Sequence, residues 1–165
     1  PDHPGSNYHM VKEQLLQYVS IPEENIHRVP GEMEVRMAAF AYEEVLRNFF
    51  TGEWPRFDLV LLGMGEDGHT ASLFPNSAGL NEEQRWFIAN YTSVRETWRL
   101  SLTKNAINAA CNIIVMVAGS AKANMLSDVF EGEHAPYLKP IQFIEPVYGE
   151  MVWLVDLAAA GKWVK

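Results

Sequence analysis

Short apolar runs that do not alternate with polar residues recur along this chain. The three clearest runs are Leu59–Leu62, Ile113–Ala118 and Met151–Val155. Runs of this length without a period of two are typical of strands buried on both faces of a parallel sheet. Three shorter segments are candidates for further strands, namely Phe87–Ala89, Leu100–Leu102 and Ile141–Ile144. The pattern therefore predicts a sheet whose first clear strand begins near Asp58.

Segments with a helical period separate these runs. The strongest extends from Glu32 to about Phe50, where apolar residues recur at i, i+3 and i+4. Further helices are predicted from Ser6 or Asn7 to about Tyr18, over Lys104–Asn112, and after Lys122 to about Phe130. Buried strands that alternate with helices predict one α/β domain over residues 1–165, with a largely parallel sheet.

The composition limits the partners and the compartment. The 165 residues carry 13 basic and 21 acidic side chains, and the net charge of −8 argues against nucleic acid or an anionic membrane as partner. A small phosphorylated substrate stays compatible, because it needs only a local cluster of donors. Cys111 is the only cysteine, so no intrachain disulfide can form, and we interpret it as a buried thiol. No apolar run reaches about 18 residues, and we expect a soluble cytoplasmic protein.

The first apolar run leads into a glycine-rich turn that holds an ionisable pair. Gly63, Gly65 and Gly68 allow a sharp bend at the carboxyl end of a strand, where open α/β sheets bind ligands. His69 is a candidate general base, because its unperturbed pKa suits proton transfer near neutrality. Asp67 either fixes the imidazole tautomer or stabilises the turn through its own backbone. Backbone N–H groups around Gly65 and Gly68 are candidates for an oxyanion site.

The same glycines match the spacing of the dinucleotide-binding fingerprint, but the context differs. That fingerprint opens a long helix and precedes an acidic residue about 20 positions on. Here Pro75 follows Gly68 by seven residues, and no acid lies at Phe87–Ala89. We therefore predict no dinucleotide cofactor. The other histidines lack metal-ligand spacing, so we predict no metal site either; they are His3, His9, His27 and His134.

A second turn offers donors for a phosphate group. Gly119, Ser120 and Lys122 follow a strand and open a helix, where backbone N–H groups, the helix dipole and a lysine converge. Taken alone, this pattern favours a simpler interpretation, in which Ser120 caps the helix beside a solvated lysine. Arg99, at the entry of its strand, is a second and weaker candidate.

The stretch Gly63–Pro75, GMGEDGHTASLFP, resembles the signature of the 6-phosphogluconolactonase family, and glucosamine-6-phosphate deaminases share its G-x-G-x-D-G-H part. Four more blocks resemble family blocks in the expected order, at residues 2–8, 99–103, 119–123 and 153–160. The resemblance implies a Rossmann-like sugar-phosphate isomerase/lactonase fold. It covers the C-terminal two-thirds of a family member. We therefore expect a longer natural protein, with its N-terminal part missing here and these residues alone nearly inactive.

The resemblance also implies roles for the candidate residues. His69 is the general base that activates water to open 6-phospho-D-glucono-1,5-lactone to 6-phosphogluconate, a step of the pentose phosphate pathway. Lys122 contacts the substrate phosphate, which reverses the simpler interpretation of its turn. Neither a metal nor a cofactor is implied.

Two alternatives are kept open. In the deaminases a glutamate needed to open the sugar ring occupies the position of Phe74, and a phenyl ring cannot transfer a proton. A sugar-phosphate-binding module without catalysis is the other alternative. The sequence does not determine the oligomeric state, and a monomer is our expectation.

Overall fold

Two separate sheets form the framework of the computed structural model, which describes residues 1–94 and 96–163, with only the backbone of Lys162. The first sheet has three parallel strands in the order β1–β4–β5, where β1 is Val60–Gly63, β4 is Asn112–Val117 and β5 is Glu150–Val155. The second sheet is an antiparallel hairpin of β2, Phe87–Thr92, and β3, Thr97–Leu102.

Helices precede, separate and follow these strands along the chain. The α-helices are α1 (Asn7–Gln14), α2 (Val35–Phe49), α3 (Lys104–Asn108), α4 (Ala123–Glu131) and α5 (Leu157–Ala160). Short 3₁₀ segments include Ala78–Asn81, Ser120–Lys122 and Pro140–Phe143. The α/β class with a parallel sheet flanked by helices is confirmed. None of the described helices is both long enough and apolar enough to cross a membrane.

The core lies on one side of the parallel sheet. Val60, Leu62, Ile113 and Val115 point into it and are almost fully buried. A second cluster joins α2 to the hairpin through Leu46, Trp86 and Phe87. The segment that follows β1 packs against the first cluster through Leu73, which is fully buried.

Burial of the sheet on both faces was a wrong prediction. Leu61 is 56% exposed, Met116 48% and Leu154 52%. Successive side chains of a strand point to opposite faces, and the described elements cover only the face that carries Val60 and Leu62. Apolar composition therefore identified the strands without revealing which side would be packed.

Three local predictions also differ from the structure. Ile141–Ile144 is not a strand but lies in a 3₁₀ turn, because Pro140 fixes a helical φ at its start. The helix predicted over Lys104–Asn112 ends at Asn108, and Asn112 already belongs to β4. Cys111 is only partly buried, and its sulfur accepts a hydrogen bond from Arg56 Nε at 3.3 Å.

The apolar stripe of the first helix is largely solvent-exposed. Ser6 caps α1, since its hydroxyl accepts the His9 N–H at 3.3 Å, but the helix buries none of its residues and ends at Gln14. A single 3₁₀ turn continues to Tyr18, which is 75% exposed. The helix therefore lies at the surface and contributes nothing to the core.

Candidate active site

The turn that follows β1 is closed by its own backbone. The Gly65 N–H donates to the His69 carbonyl at 2.8 Å, and the Gly68 N–H donates to the Gly65 carbonyl at 3.1 Å. The Thr70 hydroxyl donates to the Gly63 carbonyl at 2.8 Å. Both glycine N–H groups considered for an oxyanion site are thus engaged inside the turn.

Glycine is required at two points of this turn by geometry. A Cβ at position 65 would lie 2.0 Å from His69 Nδ1 and 2.5 Å from an Asp67 carboxylate oxygen. Gly68 has a φ of +78°, a region that L-residues rarely adopt, and a Cβ there would lie 3.1 Å from Lys139 Cα. The absence of side chains at both positions lets the ionisable pair fold over the turn.

Asp67 and His69 form a direct pair. His69 Nδ1 and Asp67 Oδ1 are 2.6 Å apart, and the same oxygen accepts the His69 backbone N–H at 3.1 Å. Burial raises the pKa of the Asp67 carboxyl, but these hydrogen bonds outweigh it and leave that pKa below its ordinary value. A carboxylate only accepts hydrogen bonds, so the shared proton belongs to Nδ1. In the neutral imidazole, Nε2 is then the basic nitrogen.

Phe74 packs flat on the imidazole. The ring centroids of His69 and Phe74 are 4.4 Å apart and their planes are inclined by 27°. Phe74 is 5% exposed, whereas the His69 side chain is 25% exposed. Asp67 therefore holds the imidazole at Nδ1, and Phe74 covers one face of the ring. The imidazole is still partly exposed to solvent.

His69 lies where two open cavities join. One, which we call the cleft, has a volume of about 700 Å³ and is lined by Gly63, Gly65 and Lys122 among others. The other, which we call the recess, has about 940 Å³ and is lined by Arg28, Trp98 and Arg99 among others. Six residues line both, namely Asn7, Val29, His69, Ala71, Ser72 and Leu100.

The candidate cations line different cavities, and His69 lines both. Lys122 lines the cleft, and its Nζ is 3.8 Å from a Glu66 carboxylate oxygen. Arg99 lines the recess. Arg28, which sequence reasoning missed, also lines the recess, but its guanidinium holds Glu32 through contacts of 2.9 and 2.6 Å. No motif around Arg28 pointed to the site.

The turn after β4 differs from a simple helix start. Gly119 has a φ of +91°, and its N–H donates to both carboxylate oxygens of Asp156 at 3.1 and 3.0 Å. Ser120 is exposed, lies in a 3₁₀ segment and makes no side-chain cap. In the sequence Asp156 belongs only to the family block at residues 153–160, and its contact with this turn is visible only in the folded chain.

Within the described residues, no group of three or more His, Cys, Asp or Glu side chains is arranged to hold a metal ion.

The chain matches known proteins over nearly its whole length. Residues 1–153 match the family described as glucosamine-6-phosphate isomerases/6-phosphogluconolactonase. A 6-phosphogluconolactonase of Synechocystis sp. is 40% identical over 96% of this chain and 66% of its own length. One of Nostoc sp. is 41% identical over 98% of this chain and 68% of its own length. The chain thus spans about two-thirds of the length of these relatives.

A solved structure matches in three dimensions as well. The 6-phosphogluconolactonase from Trypanosoma cruzi superposes with a TM-score of 0.82 at 27% identity, and the match covers 99% of this chain and 68% of that one.

Proposed function

Because the chain belongs to the glucosamine-6-phosphate isomerase/6-phosphogluconolactonase family, we propose that its protein hydrolyses 6-phospho-D-glucono-1,5-lactone to 6-phosphogluconate, with His69 as the general base. The observation that carries the proposal is the Asp67–His69 pair beside an open cleft, with 2.6 Å between the two side chains. Relatives named 6-phosphogluconolactonase support the substrate, since two of them share 40% and 41% of the aligned residues.

The reaction requires one proton to be moved twice. His69 Nε2 takes a proton from water as the water oxygen bonds to the lactone carbonyl carbon, and the carbonyl oxygen becomes an oxyanion. When the oxyanion collapses, the bond to the ring oxygen breaks, and the imidazolium returns the proton to that oxygen. General acid–base catalysis of this kind contributes about 10²–10⁴-fold.

Asp67 orients the base in this scheme. Its carboxylate accepts from Nδ1, which keeps Nε2 available for water, and its negative charge stabilises the imidazolium that forms. The lowered pKa of Asp67 agrees with this role, because it reflects hydrogen bonds from His69 that favour the ionised carboxylate.

Lys122 is the preferred ligand of the substrate phosphate. It lines the same cleft as His69, and its only described carboxylate partner, Glu66, lies at the long distance of 3.8 Å. Arg99, which lines the recess, is the second candidate. Ser120 can add its hydroxyl from the exposed turn. Gly65 and Gly68 act by shaping the turn, since their N–H groups donate within it.

The test is the rate of lactone opening by a His69→Ala variant of the complete gene product that carries this sequence. We expect turnover to fall by at least about 10²-fold, with an unchanged circular dichroism spectrum. His134→Ala is the matched control, because His134 is an exposed histidine that lines neither the cleft nor the recess. The lactone also opens spontaneously, so the rate in buffer is subtracted. Near-normal turnover by His69→Ala would remove the imidazole from the mechanism.

The two alternatives predict different results in solution assays. A deaminase would release ammonia from glucosamine 6-phosphate, and a binding module would bind 6-phosphogluconate without accelerating lactone loss. The aromatic, nearly buried Phe74 disfavours the first, because it offers no proton donor beside His69. We further propose that the protein acts in the cytoplasm, in keeping with its single cysteine, and as a monomer, which light scattering in solution would test.

A further inference from the structure

An asparagine of the hairpin is bonded to the loop that carries the histidine. Asn90 lies in β2 and is 1% exposed. Its amide nitrogen donates to the Ser72 carbonyl at 2.8 Å and to the Ser77 hydroxyl oxygen at 2.9 Å. Its amide oxygen accepts the Gly79 N–H at 3.0 Å. Three positions of one loop are therefore fixed by a single buried side chain.

Ser72 is held through both of its backbone groups. Its carbonyl accepts from Asn90, and its N–H donates to the Ser101 hydroxyl of β3 at 3.1 Å. The residue before it, Ala71, has a φ of +49°. A non-glycine residue in that region costs of order 1–3 kcal/mol and persists only where its surroundings enforce it. The Leu73 N–H closes the turn around Ala71 by donating to the Thr70 carbonyl at 2.9 Å, and the two hydrogen bonds between Ser72 and the hairpin add to this constraint.

A chain of hydrogen bonds leads from Asn90 to Phe74, whose ring covers the imidazole. The Ser77 hydroxyl accepts from Asn90 and donates to the Phe74 carbonyl at 2.8 Å. Phe74 in turn lies against His69 with centroids 4.4 Å apart. Asn90 thus fixes the backbone on both sides of the aromatic ring that limits how the imidazole can tilt.

We propose that Asn90 is a positioning residue for the proposed lactone hydrolysis: its amide holds the Ser72–Ser77 loop so that Phe74 keeps the His69 ring in its catalytic orientation. Asn90 itself does not touch the substrate. The inference rests on the proposed function for its kinetic readout, and the orientation of the imidazole can be measured without turnover.

Two variants interrupt this chain of hydrogen bonds, and a third controls for a substitution at an equally buried position. Asn90→Asp keeps the size of the side chain but removes both amide donors. Ser77→Ala removes only the hydroxyl that connects Asn90 to Phe74, which is the milder change. Thr92→Val is the matched control: Thr92 lies two residues along the same strand, is also 1% exposed, and its hydroxyl has no hydrogen-bond partner among the described residues.

The variants are compared in the complete gene product by kcat and KM per folded molecule, with the folded fraction from circular dichroism. The nitrogen resonances of the His69 imidazole are recorded by NMR at one pH. We expect kcat to fall about 10-fold or more in Asn90→Asp, and less in Ser77→Ala, with KM changed less than about 2-fold, because small misplacements of catalytic groups act on the reacting geometry. The imidazole resonances should shift in both variants, and Thr92→Val should match the wild type.

A merely structural Asn90 would lower the folded fraction without changing kcat per folded molecule, and that result would overturn the proposal. If Asn90→Asp does not fold, Ser77→Ala decides by the same criteria. If the wild type opens no lactone, the proposed function fails, and the imidazole resonances alone decide: unchanged signals in folded variants refute the positioning role.

Discussion

The phenyl ring of Phe74 lies almost parallel to the imidazole of His69, at a centroid separation of 4.4 Å. Stacked rings of this kind are worth about 0.5–1.5 kcal/mol beyond the area they bury. The contact matters for function because Asp67 fixes only one nitrogen of the imidazole, and a ring held at one atom can still rotate about that hydrogen bond. The stack removes this freedom.

Replacement of Phe74 therefore tests its stacking on His69 separately from the hydrogen bond between Asp67 and His69. Phe74→Leu keeps an apolar side chain but removes the flat face, and we expect kcat to fall about 10-fold with little change in KM. Phe74→Tyr keeps the ring and should retain kcat to within a few-fold. Steady-state kinetics on both variants provides the measurement. Equal loss in the two would show that the ring face is not what matters.

Asp67→Asn should change the acid dependence of stability. The folded-state pKa of Asp67 is lowered, because the hydrogen bonds from His69 outweigh burial. A lowered carboxyl pKa stabilises the fold above the unfolded value of about 3.9, and the benefit disappears as pH falls through the folded value. The difference in unfolding free energy between wild type and variant should thus shrink as pH falls below about 4. Urea titrations at several pH values measure it, and a difference that persists to pH 3 would contradict the expectation.

Gly65→Ala should disable the turn. Its Cβ would lie 2.0 Å from His69 Nδ1, so the pair must move. We expect turnover to fall by about 10²-fold and the unfolding free energy to drop by about 1–3 kcal/mol. Gly31→Ala is the control for stability, because a Cβ there meets nothing within 4 Å. Thermal denaturation of both variants is the measurement, and equal melting temperatures would refute the steric argument.

The phosphate site can be assigned by comparing Lys122→Ala with Arg99→Ala. The two side chains line different cavities, both of which His69 also lines, so a phosphate can use one side chain more strongly than the other. We expect Lys122→Ala to weaken binding of 6-phosphogluconate about 10-fold to 10²-fold, the usual value of a hydrogen bond to a charged group. Lys12→Ala, an exposed lysine of α1, is the control. Calorimetry measures the affinities, and a larger loss in Arg99→Ala would place the phosphate in the recess.

The secondary structure was predictable where local signals agreed. The i, i+3, i+4 stripe located α2, and the apolar runs located β1, β4 and β5 to within a residue or two. The prediction failed for Ile141–Ile144, where an apolar run follows Pro140 and forms a 3₁₀ turn. The prediction that both faces of the sheet are buried also failed, since Leu61, Met116 and Leu154 are exposed. Apolar character does not reveal what is packed against a strand.

The sequence by itself determined the glycine-rich turn, the placement of Asp67 two positions before His69, and the family, since all three depend only on the order of residues along the chain. Only the tertiary structure decided that Phe74 covers the imidazole, that Asn90 holds the loop from 18 residues beyond Ser72, and that Asp156 accepts the N–H of Gly119 from 37 residues away. The physical reason is that such hydrogen bonds and ring contacts form between side chains that packing brings together, and neither periodicity nor spacing encodes those distances.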